Sequence, residues 1–121
     1  MEIADSDNYE YGVIYKIVCK DNYYYYGSTT NMENRIKNHK YHSQIYTFIP
    51  LYSHINTIGW DNVKFEIIEE YPCNTKIDLL KREDEYIKKA IESKEILCLN
   101  AKRAYVSPEE RKQNMKEYYR L

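Results

Sequence analysis

Between residues 75 and 93 the apolar residues fall at helical spacing, and that stripe commits the chain to laying one long helix across another layer. Placed at about 100° steps, Leu79, Ala90, Ile87, Leu80, Ile91 and Ile77 fill one arc. Lys81, Lys88, Glu92, Glu85, Asp78, Lys89 and Arg82 fill the opposite arc, and Asn74 or Thr75 can cap the start. Two acids break the pattern. Glu83 falls between Ala90 and Ile87, and Asp84 falls between Ile91 and Ile77. A carboxylate turned toward a core costs several kcal/mol unless a cation or metal satisfies it. The structural explanation is a buried ion pair or a rim position that reaches water; the alternative is a carboxylate kept for chemistry. Periodicity narrows the choice to these two residues and does not decide between them.

The layer under that helix is legible upstream. Residues 11–19 alternate and are rich in β-branched and aromatic types, Lys20-Asp21-Asn22 is a turn, and residues 23–28 form a second strand. In this hairpin Tyr11, Val13, Tyr15 and Ile17 share one face, as do Tyr23, Tyr25 and Gly27. Thr30 or Asn31 caps a helix expected to run to about residue 40, with Arg35 and His39 one turn apart on one side. Pro50 opens a short helix that Gly59 stops, and residues 63–69 read as a third strand. A short apolar segment, 96–99, ends at Asn100. Ser107-Pro108-Glu109-Glu110 is a capping box that opens a last helix. The expected fold is α+β: a small antiparallel three-stranded sheet flanked by helices, with a C-terminal helical extension. At 121 residues this is one core, divided into an acidic segment 1–10, a folded unit 11–103 and a basic helical tail 104–121.

Charge and cysteine usage exclude several classes. No apolar run approaches the ~20 residues of a membrane helix, and the four acids of residues 1–10 oppose a signal peptide. Cys19, Cys73 and Cys98 are odd in number and widely spaced, so neither a disulfide framework nor a zinc site is expected, and an intracellular, reducing setting (cytoplasm or nucleus) is the expectation. The net charge of −1 hides an uneven distribution. Residues 11–40 carry five bases against two acids and residues 102–121 six against three, which would place Lys16, Lys37, Lys40, Lys102 and Arg103 on a phosphate-facing side. The 15 tyrosines follow an AT-rich composition with abundant Asn, Lys and Ile; what matters is where Tyr15 and Tyr25 fall.

Val13-Ile14-Tyr15, Tyr25-Tyr26-Gly27, Arg35 and His39 resemble the signature of the GIY-YIG nucleases. Residues 51–68, with Gly59-Trp60-Asp61-Asn62, resemble the family's short helix and strand. Glu83 stands before Tyr86-Ile87 as the family's catalytic glutamate does, and Leu99-Asn100 resembles its closing pair. The likeness spans about residues 11–103 and departs from the pattern at Val13, where glycine is usual, and at Tyr26, where isoleucine is.

The resemblance selects Glu83 over Asp84 and implies a metal-dependent DNA endonuclease. Glu83 would hold one Mg²⁺ or Mn²⁺. Tyr15 would be the general base, its phenol acidified by nearby charge, and Arg35 would contact the scissile phosphate. Tyr25 and His39 would orient phosphate or water, and Asn100 would steady the site. The substrate implied is double-stranded DNA and the context that of a homing or mobile-element nuclease, as a monomer or transient dimer. A non-catalytic nucleic-acid-binding module and a stand-alone structure-specific repair nuclease are the alternatives. His39 and His42, three apart, lack a third metal ligand, and His54 reads as structural.

Overall fold

Asn22 takes φ 75°, the left-handed region that asparagine tolerates, and there the chain reverses to form the hairpin. The structure, a computed structural model, describes residues 8–119, the side chains of 117–119 apart. Residues 1–7 of the acidic segment and Arg120 of the tail lie outside the described residues. Strand β1 (Val13–Cys19) pairs antiparallel with β2 (Tyr24–Thr29), setting Tyr15 opposite Gly27 and Ile17 opposite Tyr25. Strand β3 (Val63–Glu70) pairs antiparallel along the other edge of β1, giving the order β2-β1-β3. The expected three-stranded antiparallel sheet is therefore the observed one. Its one irregularity lies where Ile14 faces Glu69 but Tyr15 faces Ile67; Ile68 is the extra residue, and such bulges bend a sheet locally. Tyr11 does not extend β1 as the alternation suggests. It closes a 3₁₀ turn, Tyr9–Tyr11, and is 66% exposed.

Each helix begins where its cap dictates. Asn31 rather than Thr30 caps α1 (Met32–Ile45), its side chain accepting from Asn34 N. The helix outruns the expected end near residue 40 because no glycine or proline interrupts it before Pro50. Helix α2 (Pro50–Ile58) has proline in its first turn and stops at Gly59, whose φ of 87° few other residues adopt without strain. Thr75, not Asn74, caps α3 (Lys76–Glu92). The capping box forms at α4 (Pro108–Tyr119), with Glu110 N donating to Ser107 Oγ at 3.0 Å.

The helices lie on both faces of the sheet. Tyr15, Ile17 and Cys19 point to one face and bury against Leu51, Tyr52 and Ile55 of α2. The alternate residues of β2 meet α3 on the other face: the Tyr26 and Tyr86 rings lie 5.3 Å apart, and Ser28 contacts Glu83. The free edge of β2 is covered as well. Tyr24 N donates to Leu97 O and Leu99 N to Tyr24 O, so the apolar segment near residue 98 runs alongside β2 like a short parallel strand. No helix among the described residues is long and apolar enough to cross a membrane.

Candidate active site

The two misplaced acids of α3 have separate fates. Asp84, 5% exposed, is clasped by Arg103: Nη2 donates to Oδ2 at 2.7 Å and Nε to Oδ1 at 2.9 Å, while Ala104 N donates to Oδ1 at 3.1 Å. Both oxygens of that carboxylate are hydrogen-bonded and its charge is paired, which is the structural explanation realised. Glu83 makes no ion pair among the described residues. Its Oε1 accepts from Ser28 Oγ at 2.5 Å, and burial pushes its acid up from the ordinary carboxylate range despite that hydrogen bond and nearby Arg35. Glu83 borders a polar cavity of about 440 Å³ with Ser28, Asn31, Asn34, Arg35 and Asn38. One partly buried carboxylate with a single neutral partner and unfilled lone pairs facing a polar cavity suits a hard divalent cation whose remaining ligands are water and phosphate.

Across from Glu83 the structure gathers Tyr15, Tyr25, Arg35 and His39. Tyr15 is fully buried, its ring lying over Gly27; a Cβ on residue 27 would sit 2.3 Å from the phenol carbon and oxygen. Glycine is required there by the close approach of the tyrosine ring, not by its backbone angles. Arg35 Nε donates to Tyr15 Oη at 3.0 Å, and Tyr15 Oη lies 2.6 Å from His39 Nε2. His39 Nδ1 in turn lies 2.8 Å from Tyr52 Oη. Both imidazole nitrogens are thus engaged by phenols, so His39 has no nitrogen left for a metal shared with His42. Burial, then the charge of Arg35 and His42, lowers His39 to about 3, so the ring is neutral. The expected acidification of Tyr15 is not found: burial raises its phenol pKa, and Arg35 offsets only part of that. Burial likewise pushes Tyr25 up to about 12.

Asn100 sits on the covered edge of β2. Its Oδ1 accepts from Tyr26 N and its Nδ2 donates to Tyr26 O, both at 2.9 Å, so the side-chain amide pairs as a strand's backbone would. It holds the strand next to Tyr25, with which it lines one cleft.

The basic residues scatter. Lys16 stands 4.5 Å over the Tyr24 ring and Lys40 5.9 Å over Trp60, while Lys37 and Lys102 are exposed. Arg103 corrects the expectation of a DNA contact: its guanidinium is spent on Asp84, Glu110 and Tyr105 O. Two site residues escaped sequence reading. Ser28 had a signal, lying just after the second motif. Tyr52 had one too, a hydroxyl between Leu51 and Ile55 on the buried side of α2. Away from the site, the donors of Cys19, Asp21 and His54 fall within 4.8 Å of one another, a grouping their sequence separation conceals. His54 pairs with Asp21 at 2.8 Å under the Tyr23 ring.

The family model described as the GIY-YIG catalytic domain matches residues 11–95. No curated protein and no solved structure matches the chain.

Proposed function

The chain belongs to the GIY-YIG catalytic domain family and so carries a nuclease domain; from that premise we propose that it is a metal-dependent endonuclease hydrolysing DNA phosphodiester bonds, the catalytic unit of a homing or mobile-element nuclease. The observation that supports this most is the division of labour on α3. The fold neutralises Asp84 and leaves Glu83 with open lone pairs beside Arg35 and the Tyr15–His39 pair. The unit is 11–103, and the tail 104–121 is the appendage, pinned by Arg103.

In this reading Glu83 holds Mg²⁺ or Mn²⁺, which when bound offsets the charge that builds on the phosphate. Arg35 faces the phosphate with the N–H groups that Tyr15 does not use. Tyr15 is the group that takes the water's proton, and His39 holds it in place. Burial makes His39 a weak base, so its Nε2 is a hydrogen-bond partner and not the proton's destination. Tyr15 enters the step as a phenolate, its own proton released to solvent and its charge offset by Arg35, and then takes the proton of the attacking water. With the Tyr15 hydroxyl given to Nε2, His39 Nδ1–H faces Tyr52 Oη, so the two phenols hold the ring in one orientation. The new P–O bond forms from the water oxygen, and the bond to the leaving deoxyribose oxygen breaks. Because burial pushes up the resting phenol's pKa, ionising Tyr15 is the unfavourable part of the step, and cleavage should quicken as the pH rises. Tyr25 orients the phosphate, Asn100 is a positioning residue through β2, and Lys37 and Lys102 supply salt-sensitive contacts to DNA.

Incubation of supercoiled plasmid with Mg²⁺, with and without EDTA, tests the proposal. Nicked or linear DNA should appear only with free metal and disappear for Glu83→Gln. Retained DNA binding with no cleavage at any divalent metal would instead make the chain a binding module.

A further inference from the structure

Glu83 borders a second cavity besides the polar one, and the two differ in chemistry. On its far side lies a cleft of about 650 Å³ lined by Tyr25, Tyr46, Phe48, Ile49, Pro50 and Leu99, with exposed Lys102 at the rim. That volume lies within the roughly 300–1,000 Å³ of small-ligand pockets. Phe48 is 79% exposed and Tyr46 42%, and their rings stand edge to face, 6.4 Å apart, in the loop joining α1 to α2. That loop is held at both ends by helices of the site: α1 carries Arg35 and His39, and α2 carries Tyr52.

A nucleotide has the same two halves. Its phosphate suits hydroxyls, amides and an arginine; its base is a flat apolar face with a polar edge, suited to aromatic rings. Glu83 stands at the boundary, where a scissile phosphate would stand. We propose that the cleft bordered by Tyr46 and Phe48 receives a nucleobase drawn out of the stack next to the scissile phosphate, so that DNA with an unpaired base at that position is the better substrate. The inference rests on the nuclease reading. It specifies the substrate by energetics: drawing a base from a perfect duplex costs unstacking and unpairing, whereas a mismatched or bulged base has already lost part of that stabilisation. The cation at the rim, Lys102, lies where the backbone beside the base would pass, so charge and aromatic surface converge on one nucleotide. Phe48 is the residue to test, because so exposed a ring can be removed without opening the core.

The test uses the full chain and oligonucleotide duplexes of one sequence, either matched or carrying a single mismatch or a one-nucleotide bulge at the cleaved step. The wild type should cut the mismatched and bulged duplexes about ten-fold faster than the matched one, the scale of one base–aromatic stack. Phe48→Ala should erase that preference by slowing the mismatched and bulged duplexes about ten-fold, because only an unpaired base reaches the ring, and Phe48→Trp should keep the preference. Separately, Glu83→Gln protein is mixed with duplexes bearing 2-aminopurine as the unpaired base. Its fluorescence should change on binding and not do so with the Glu83→Gln, Phe48→Ala double variant. Equal rates on matched and mismatched DNA, or a preference that survives Phe48→Ala, overturns the proposal. So does a Phe48→Ala defect equal on every duplex, which makes the loop a general DNA contact. If the wild type cuts nothing, the nuclease reading fails, and the fluorescence still decides whether the cleft takes a base.

Discussion

Lowering the pH from 7 to 4 should cost this fold about 3 kcal/mol through His39 alone. The ring is 1% exposed and held at about 3 by burial and by the charges of Arg35 and His42, against 6.5 in an unfolded chain. Between those two values the unfolded chain binds a proton that the folded one refuses. Stability attributable to His39 is therefore undiminished above about pH 6.5, falls as the pH drops, and is lowest below about pH 3. At pH 4 the imbalance amounts to roughly two and a half pKa units and at pH 7 to about a tenth of one, which at about 1.4 kcal/mol per unit gives the figure above. The comparison is made within each protein. Urea unfolding free energies at pH 7 and pH 4 are subtracted for the wild type and for His39→Gln, so that carboxylates titrating in both cancel. The wild type should lose about 3 kcal/mol more than the variant. Nitrogen-15 spectra of His39 should show one protonated and one bare ring nitrogen down to pH 4, with Nδ1 carrying the hydrogen. A ring that titrates near 6.5, or pH dependences of the two proteins that coincide, would refute the argument.

Gly27→Ala should abolish cleavage and lower stability by about 1–3 kcal/mol, because the added carbon lands on a fully buried Tyr15 ring that two hydrogen bonds hold in place; plasmid cleavage and thermal unfolding read the two effects. The neighbouring acids should give opposite results. Asp84→Ala removes the main partner of the Arg103 guanidinium, which keeps only Glu110 and Tyr105 O at 3.3 Å, and should cost about 1–3 kcal/mol in urea unfolding while leaving turnover per folded molecule near wild type. Glu83→Gln should end turnover with stability unchanged or raised, since it removes a charge that burial disfavours; equal stability losses in the two variants would contradict their separate roles.

That pair of acids also marks how far the sequence could be read. Helical periodicity found both Glu83 and Asp84, because an arc of leucine and isoleucine makes an acid conspicuous. It could not rank them, since the ranking depends on Arg103, a residue beyond the helix that reaches back through a loop with no periodic relation to α3. The elements themselves were legible wherever local chemistry decides them. The helix starts, narrowed to residues 30–31 and 74–75, the proline and glycine bounding α2, and the turn at residues 20–22 follow from neighbours in the chain. The choice of Asn31 and Thr75 as caps and the Tyr15–Gly27 pairing came only with the fold. The electrostatics were not. Reasoning from nearby cations makes Tyr15 a better acid, but the same packing that brings Arg35 to it also removes water, and the loss of water is the larger effect. The same burial keeps the imidazole 2.6 Å away neutral and weakly basic, so it holds the phenol by a hydrogen bond and does not take its proton. Tyr52, invisible to any motif, reaches the site through that ring, its hydroxyl 2.8 Å from His39 Nδ1.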